Sequence, residues 1–502
     1  MDELVKKILT SRVYEVVRET LLDESESLSQ KLGNRVRLKR EDQQPIFSFK
    51  IRGAYNRLAH LTDTEKSKGV VAASAGNHAQ GVAYSGRMLG IDTLIVMPVT
   101  TPAIKVEAVR NYGGTIILHG DSYSEAAEHA RVVAREQGRV FIHPFDDELV
   151  IAGQGTVGDE IIRQNPGALD AIFVPVGGGG LIAGIGAYVK ELRPEVKIIG
   201  VEPVDSPTML KSLEAGKIVE LEYVGAFADG VAVKKAGERT FAICQGVVDE
   251  IVTVNTDELC SGIKTVFQAT RSIVEPAGGL AMAGLQKYAR QSRWQGKTMV
   301  AVLSGANMNF ERLRFVAERT LIGEKQEALY AVTIPEKPGS LKRFCHEQVG
   351  ERNITEFNYR LSERDRAQIF VGITVSNDED RISFKKQLID SGFDTLDLTD
   401  DELAKNHIRY MVGGRSANVQ NERLYRFWFP ERPGALVRFL DATRGRRNIS
   451  LFHYRAQGGD YGRVLVGFEV ADCDKKDLDL RLQELGYRFV EETDNPAYRL
   501  FL

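Results

Sequence analysis

The segment that decides the fold runs from Ala171 to Leu192 and reads AIFVPVGGGGLIAGIGAYVKEL. Its first part, Ala171 to Val176, is apolar without alternation, which predicts a β-strand buried on both faces. Four glycines follow, and the run from Leu181 to Leu192 predicts an amphipathic helix. A buried strand, a glycine turn and a helix in this order are typical of an open parallel sheet covered by helices.

The glycine loop also predicts a binding site. Glycines let a ligand approach the backbone, and the amides at a helix N-terminus attract an anion such as phosphate. The loop contains neither the GxxxxGK[ST] pattern nor the GxGxxG dinucleotide fingerprint. A flexible linker is the alternative, but a linker rarely joins a buried strand to a helix. We expect the phosphate to be bound by Gly177, Gly178, Gly179, Gly180 and Leu181.

The same alternation of apolar strands and helical segments extends from about residue 35 to 305 and predicts an α/β half with an open, mostly parallel sheet. Helices are predicted between most of the strands, for example over Ala103 to Asn111 and Ser124 to Gln137. The other candidate strands are Gly69 to Ala73, Asp92 to Met97, Thr115 to Leu118, Arg139 to His143, Lys197 to Val201 and Thr298 to Leu303.

Two further strand ends carry polar residues, and ligands of such sheets bind beyond the carboxyl ends of the strands. The loop Ser74 to Gly81 reads SAGNHAQG, in which Asn77 offers both a donor and an acceptor. The loop Leu303 to Asn309 places Ser304 at another strand end. Each of these polar residues has the alternative role of a helix cap. Glu275 precedes another helix and is either a buried acid or base or, more commonly, a solvated first-turn residue.

Lys50 lies between Phe49 and Ile51 in the stretch SFKIRGA, ahead of a helical run from Ala54 to His60. Apolar surroundings lower the pKa of a lysine, and the neutral amine can then form an imine with a carbonyl group. The common alternative is a lysine that extends its amine to water.

An imine-forming lysine, an anion cradle, an Asn loop and a strand-end hydroxyl together suit pyridoxal 5'-phosphate. The motifs SFKIRGAYN, SAGNHAQG, PVGGGGL and LSGAN, in this order, resemble the fold-type II pyridoxal-phosphate enzymes, which have the tryptophan synthase β-like fold. Within that group the chain is similar to the dehydratases that act on serine and threonine.

The resemblance implies a role for each motif. Lys50 is the imine-forming and proton-carrying lysine, Asn77 binds the ring hydroxyl of the cofactor, Gly177 to Leu181 bind its phosphate, and Ser304 faces the pyridine nitrogen. The substrate carboxylate is expected at Ser74, Ala75 and Gly76. The implied reaction converts L-threonine to 2-oxobutanoate and ammonia. Because a hydroxyl does not protonate pyridine, a serine at position 304 favours β-elimination over transamination.

Some relatives hold a divalent metal in the segment that here spans Glu202 to Thr208. Since the later acidic ligand is replaced by Thr208, we expect no metal there, and a monovalent cation bound by carbonyl groups stays an open alternative.

The last third of the chain is a duplication. The segment Leu329 to Gly339 returns as Leu424 to Gly434, an offset of 95 residues (430 − 335) that also relates Tyr359 to Tyr454. An offset kept over this length indicates two copies of one module. Each copy reads strand, helix, strand, strand, helix, strand, which predicts an α+β ferredoxin-like unit.

The modules resemble the ACT-like regulatory domains of amino-acid biosynthesis, with a catalytic domain over 1–310, a connecting helix over 311–327, and modules over 328–399 and 423–495. Two such modules behind this catalytic half resemble the biosynthetic threonine dehydratases. That family implies inhibition by isoleucine, relief by valine and a homotetramer. Tyr359 and Tyr454 are candidate effector residues, with sheet tyrosines as the alternative. A serine dehydratase, serine racemase or β-replacement synthase, or a non-catalytic amino-acid sensor, is an alternative function.

Composition excludes several classes. The 502 residues carry a formal net charge of −3, which argues against nucleic acid or an anionic membrane as the main partner. No apolar run is long enough to span a bilayer, and the first 20 residues resemble no signal or transit peptide. The scattered cysteines Cys244, Cys260, Cys345 and Cys473 contain no CxxC and indicate reduced thiols in a cytoplasmic protein.

Overall fold

The computed structural model describes residues 2–101, 103–225, 227–337, 339–360, 365–406, 408–411, 416, 419–430, 434–443, 448–455 and 461–495. The chain folds into two compact units, Met1–Gly323 and Glu324–Leu502. The expected connecting helix belongs to the first unit, where Arg312–Gly323 packs against the helix Thr256–Thr270.

The strands of the first unit are short and mostly buried. In chain order they are β1 (Leu22–Glu24), β2 (Arg35–Lys39), β3 (Val70–Ala73), β4 (Thr93–Met97), β5 (Thr115–Leu118), β6 (Val140–Phe141), β7 (Ala171–Pro175), β8 (Lys197–Pro203), β9 (Glu250–Val254) and β10 (Thr298–Val302).

Helices connect most of these strands. They are α1 (Asp2–Leu9), α2 (Glu26–Leu32), α3 (Lys50–Ala59), α4 (Asp63–Lys68), α5 (Asn77–Leu89), α6 (Ala103–Asn111), α7 (Tyr123–Gln137), α8 (Glu148–Gln164), α9 (Gly180–Leu192), α10 (Thr208–Ala215), α11 (Glu238–Val247), α12 (Thr256–Thr270), α13 (Pro276–Ser292) and α14 (Arg312–Gly323).

The strands form two sheets where the sequence predicted one. The larger sheet has the order β1-β2-β10-β7-β8-β9, and the smaller has the order β5-β4-β3-β6. All neighbouring strands are parallel except β1 and β2. The predicted strand Ala171 to Val176 is confirmed as β7, which is fully buried at the centre of the larger sheet. The carboxyl ends of β7, β10 and β3 therefore present their loops toward a common region.

Sequence patterns missed parts of this unit. The strands β1, β2 and β9 were not predicted, and the start of α3 was placed at Ala54 although the helix begins at Lys50. This difference matters because it places Lys50 on the first turn of a packed helix. The predicted helix over Ala103 to Asn111 is confirmed as α6.

The second unit contains one eight-stranded sheet with the order β14-β11-β13-β12-β16-β17-β15-β18. Its strands are β11 (Glu327–Pro335), β12 (Ile354–Arg360), β13 (Arg366–Thr374), β14 (Asp394–Asp397), β15 (Glu422–Pro430), β16 (Asn448–Arg455), β17 (Tyr461–Glu469) and β18 (Arg488–Glu491). Its helices are α15 (Ser340–Phe344), α16 (Asp378–Asp390), α17 (Glu402–Asn406), α18 (Ala435–Ala442) and α19 (Lys475–Leu485).

The predicted module pattern is present in both copies. The first copy supplies β11 to β14 and the second β15 to β18, and the two copies join where β12 pairs antiparallel with β16. A shared apolar core runs through both copies, and it includes Phe357 and Phe452, whose ring centroids lie 5.6 Å apart. Pro338 and the second turn residues Glu431 to Pro433, which support the repeat in the sequence, lie outside the described residues.

Candidate active site

A cavity of roughly 540 Å³, including its mouth, lies at the carboxyl ends of β7 and β10 in the first unit. All of the predicted cofactor-binding residues line it. The lining consists of Phe49, Lys50, Asn77, Phe145, Pro175, Gly177–Leu181, Gly230, Val231, Glu275, Ala277 and Ser304.

Lys50 carries the nucleophilic amine of the cavity. Its Nζ donates a hydrogen bond to the carbonyl oxygen of Pro144 at 2.8 Å and lies 5.3 Å from the centroid of the Phe49 ring. Burial lowers the pKa of Lys50 from 10.5 to about 8, although the charge of Glu275 acts in the opposite direction. Lys50 is half-buried, and with a pKa of about 8 roughly a tenth of its amine is neutral at pH 7.

A buried ion network fixes the helix that carries Lys50. The Arg52 guanidinium, two residues after Lys50, donates to the carboxylates of both Glu41 and Glu160 at 2.6–3.0 Å. Lys39 Nζ also donates to Glu160 at 2.6 Å, and all four charged side chains are fully buried. Removal of one partner would leave a buried charge unpaired, which typically costs about 3–5 kcal/mol. The network therefore fixes α3 against β2 and α8.

The glycine loop is shaped by the side chains around it. A Cβ on Gly178 would lie 2.4 Å from the Phe145 ring, and Gly179 has a left-handed φ of 92°. A hydrogen bond also fixes the loop, because Thr240 Oγ1 donates to the carbonyl oxygen of Gly178 at 2.6 Å. Since α9 begins at Gly180, the free amides of its first turn face the cavity region, which suits a phosphate group.

The loop His143 to Asp147 was not identified from the sequence, yet it organises one wall of the site. Asp146 accepts the amides of Glu238, Arg239 and Thr240 and so caps α11. The next residue, Asp147, accepts two amides at the start of α8. An aspartate directly before a helix is a recognisable cap signal, but only the structure reveals that Asp146 caps a helix distant in sequence.

Glu275 is buried, with 6% of its surface exposed, so the commoner expectation of a solvated first-turn residue is wrong. Asn77 Nδ2 donates to Glu275 Oε1 at 2.6 Å. Burial raises the pKa of the Glu275 carboxyl to about 7, while the hydrogen bond from Asn77 lowers it. Both residues line the cavity that contains the Lys50 amine.

Ser304 is buried at the end of β10, and its hydroxyl donates to the carbonyl oxygen of Ala277 at 3.2 Å. Ser74, Ala75 and Gly76 lie immediately before α5 and are not among the residues that line the cavity. The Ser74 hydroxyl accepts the amide of Gly76 at 3.2 Å. The structure therefore brings together the predicted cofactor residues and places the predicted substrate residues just ahead of Asn77.

The segment Glu202 to Thr208, for which we expected no metal, stabilises the start of a helix in this chain. The buried Glu202 carboxylate accepts the amides of Met209 and Leu210 at 2.8 and 2.9 Å and so holds the start of α10. Burial raises the pKa of Glu202 to about 7. Thr208, at the position of the missing acidic ligand, is buried and donates to the carbonyl oxygen of Val233.

The two candidate effector tyrosines lie in matched pockets of the second unit. Tyr359 is buried in a pocket of roughly 420 Å³, and its hydroxyl donates to Glu336 Oε2 at 2.7 Å. Tyr454 is half-buried in a pocket of roughly 430 Å³. Each pocket combines the helix start of one module with the strand start of the other, since Asn448 lines the first pocket and Asn353 the second.

Other expectations concern the thiols and the membrane. Cys244, Cys260 and Cys345 are buried and Cys473 is exposed, and none is in a disulfide. Within the described part of the chain, no helix combines the length and the apolar character required to cross a membrane.

Two family models match most of the chain. Residues 13–305 match the pyridoxal-phosphate dependent enzymes. Residues 318–408 and 413–502 each match the C-terminal regulatory domain of threonine dehydratase. The two regulatory matches coincide with the duplicated modules of the second unit.

Relatives match over the full length. The chain is 56% identical over 503 residues to the biosynthetic L-threonine dehydratase of Burkholderia multivorans, with 100% of this chain and 99% of the relative covered. It is 50% identical to the biosynthetic enzyme of Escherichia coli, with 100% and 97% covered.

Among solved structures, the processed form of threonine deaminase isoform 2 from Solanum lycopersicum is 47% identical, with a TM-score of 0.62. The match covers 63% of this chain and 87% of that one. Maize serine racemase is 33% identical with a TM-score of 0.59. That match covers 63% of this chain and 96% of the racemase chain.

Proposed function

This chain belongs to the biosynthetic threonine dehydratases, which are pyridoxal-phosphate-dependent lyases, and we propose that it converts L-threonine to 2-oxobutanoate and ammonia. The observation that carries the proposal is the Lys50 amine, which lines the same cavity as the glycine loop. In this family the reaction is the first committed step of isoleucine synthesis.

The cavity residues fit pyridoxal 5'-phosphate. The glycine loop offers amides for the phosphate, and side chains larger than hydrogen at Gly178 would collide with Phe145. Asn77 offers a donor for the ring oxygen, and Ser304 offers a hydroxyl for the pyridine nitrogen. When bound, the cofactor supplies the electron sink that makes the substrate Cα proton acidic.

Lys50 performs the proton transfers in this proposal. Because the pKa of Lys50 is lowered to about 8, a fraction of its Nζ is neutral near pH 7, and this neutral amine can accept the Cα proton of the substrate. Its hydrogen-bond acceptor, the carbonyl oxygen of Pro144, holds the amine inside the cavity. Ser74, Ala75 and Gly76 are proposed to bind the substrate carboxylate through the polar turn before α5.

Ser304 adjusts the electronics of the site. The Ser304 hydroxyl donates to the carbonyl oxygen of Ala277 and would turn from it to donate to the pyridine nitrogen of a bound cofactor. Because a hydroxyl is a far weaker acid than a carboxyl group, it would leave that nitrogen unprotonated, which favours elimination. We expect Ser304→Asp to increase transamination relative to elimination, measured as pyridoxamine 5'-phosphate formed per 2-oxo acid. An unchanged ratio would contradict this role.

The pockets at Tyr359 and Tyr454 are proposed as the effector sites, where isoleucine inhibits and valine relieves inhibition. Amino acids carry an ammonium and a carboxylate, and the first pocket contains both a half-buried carboxylate, Glu336, and the ammonium groups of Lys337 and Lys342. The second pocket is lined largely by apolar side chains, with Arg352 as its cation. The proposal includes a cytoplasmic homotetramer, in which effectors shift the population of competent states.

One assay tests the activity and the regulation together. Formation of 2-oxo acid is measured from threonine and from serine, with and without isoleucine, and then with added valine. Sigmoidal threonine turnover that isoleucine suppresses and valine restores is expected. A strong preference for serine would instead support a serine dehydratase.

The non-catalytic sensor is tested separately. Purified enzyme is expected to show a visible cofactor band that borohydride removes by reducing the link to Lys50. A chain without this band that still binds isoleucine would support the sensor.

A further inference from the structure

We propose that Asn307 is a positioning residue that fixes the orientation of the Asn77 amide, so that Asn77 presents an N–H donor and not its oxygen to the ring oxygen of the cofactor. This inference rests on the proposed function, because it concerns the same cavity. It assigns a role to a residue of the LSGAN motif that the mechanism above does not use.

A backbone carbonyl group determines which end of the Asn307 amide is the donor. Asn307 Nδ2 donates to the carbonyl oxygen of Ile46 at 2.9 Å and also to Asn77 Oδ1 at 2.6 Å. An amide nitrogen carries two hydrogens, so both are used as donors. The backbone carbonyl of Ile46 can only accept, which means that Asn307 must present its nitrogen, and not its oxygen, toward this side.

The opposite end of Asn77 is fixed by an acceptor. Asn77 Nδ2 donates to Glu275 Oε1 at 2.6 Å, so this carboxyl oxygen is the acceptor on that side of the amide. A donor on one side and an acceptor on the other allow one orientation of the Asn77 amide and oppose the flipped one. The second N–H of Asn77 has no other hydrogen-bond acceptor within the described residues, and Asn77 lines the cavity.

The hydrogen bonds that run from Ile46 through Asn307 and Asn77 to Glu275 form what we call the relay, and backbone hydrogen bonds hold its segments together. The segment before Lys50 pairs with the segment that carries Asn307, since the amide of Phe49 donates to Ser304 and the amide of Ala306 donates to Phe47. Glu275 is held from the same segment, because its amide donates to the carbonyl oxygen of Gly305 at 3.2 Å. The relay therefore connects the lysine segment, the Asn loop and the end of β10.

The chemical consequence concerns the ring oxygen of the cofactor. That oxygen carries negative charge when the cofactor is linked to a lysine, so a donor stabilises it and a second acceptor destabilises it. In Asn307→Asp a carboxylate oxygen replaces the donor nitrogen and repels Asn77 Oδ1. The contact becomes a hydrogen bond only if the Asn77 amide flips, so that its nitrogen faces the carboxylate. The turned amide would place its oxygen toward the cofactor.

The test titrates the cofactor-free, full-length chain with pyridoxal 5'-phosphate, and records affinity by fluorescence and the visible absorption of the bound cofactor. We expect Asn307→Asp to bind about tenfold to a hundredfold more weakly and to show an altered visible band. Asn309→Asp is the matched control, because the Asn309 side chain accepts the amide of Glu311, a role that a carboxylate retains. It is expected to match the wild type in both readouts.

Asn307→Ser is the second test variant and replaces Asn307→Asp if the aspartate variant does not fold. It removes the side-chain amide without adding a charge. It is expected to weaken binding and alter the band in the same direction. Wild-type affinity and absorption in a folded Asn307 variant would overturn the relay, as would weaker binding with an unchanged band, which marks a structural role alone. A wild-type chain that does not bind the cofactor would instead refute the proposed function.

Discussion

The catalytic cavity and the two pockets of the regulatory unit are built in opposite ways. The polar residues of the cavity, such as Lys50, Asn77 and Ser304, come from segments that are distant in the sequence. The regulatory pockets occur twice and use the same elements of a duplicated module. Chemistry on one reacting atom requires a single fixed arrangement, whereas a repeated pocket can change its side chains in one copy while the fold stays the same.

The two regulatory pockets have diverged in this manner. Ser340 and Lys342 of the first pocket correspond to Ala435 and Val437 of the second. The first pocket therefore has more charged side chains in its lining, and burial raises the pKa of its Glu336 carboxyl. The difference suggests that the two pockets do not respond equally to one effector, which the smaller predictions below examine.

The largest effect is expected in the catalytic cavity. Lys50→Ala should reduce threonine turnover by at least ~10,000-fold, because it removes both the nucleophile and the base. The 2-oxo acid assay measures the loss, and circular dichroism monitors the fold. Elimination at the wild-type rate in this variant would remove the basis of the assignment.

The pH dependence of cofactor capture follows from the same amine. The pKa of Lys50 is lowered to about 8, so its neutral fraction rises with pH and levels off above that value. We expect the rate of capture by the cofactor-free chain to rise about tenfold per pH unit below this pKa. A stopped-flow series of the visible band checks this, and a rate that keeps rising to the ordinary lysine pKa would show that the amine is solvated.

The pH dependence of the free energy of unfolding that Lys50 causes is opposite to that of a lysine in a salt bridge, whose pKa folding raises. Because folding lowers the pKa of Lys50 from 10.5 to about 8, the unfolded chain binds more protons between these values. This group therefore makes the cofactor-free fold more stable as pH rises from about 8 to 10.5. Chemical denaturation of the Lys50→Ala variant provides the reference.

A smaller effect is expected at the glycine loop. Gly178→Ala places a Cβ 2.4 Å from the Phe145 ring, and overpacking of this kind typically costs about 1–3 kcal/mol. We expect roughly tenfold weaker cofactor binding, measured by fluorescence titration. Gly246→Ala is the control, since a Cβ there meets nothing within 4 Å, and equal binding by both variants would mean that the loop shape is unimportant.

The smallest effect is expected in the regulatory pockets. Tyr359→Phe removes the hydrogen bond to Glu336, which contributes about 0.5–1.5 kcal/mol, and should change the half-inhibitory isoleucine concentration by about twofold to tenfold. Tyr454→Phe is the matched variant in the other copy. Identical responses of the two variants would show that the pockets act equally in spite of their different linings.

Much of the catalytic half could be predicted from the sequence because its signals are local. Continuous apolar strands, such as Ala171 to Val176, and glycine turns specify a buried parallel sheet without knowledge of distant contacts. The duplication was equally visible because the second module repeats the first at one fixed offset. These features follow from the order of residue types along a short segment.

Charged strands and distant partners could not be predicted in this way. The strand β2 alternates basic residues, and its Lys39 is tolerated in the interior because Glu160, more than a hundred residues away, neutralises it. The burial of Glu275 likewise depends on Asn77, and the capping of α11 depends on Asp146. The free energy of these groups depends on the partner, which sequence position alone does not reveal.

The sequence by itself therefore determined the fold class, the repeated modules and the residues that meet at one cavity, because each is encoded in a local pattern. Only the tertiary structure decided the state of those residues. It buried the Lys50 amine against Pro144, set the orientation of Asn77 between Asn307 and Glu275, and made the two regulatory pockets chemically different. Protonation and hydrogen-bond polarity depend on neighbours in space, and folding is what brings those neighbours together.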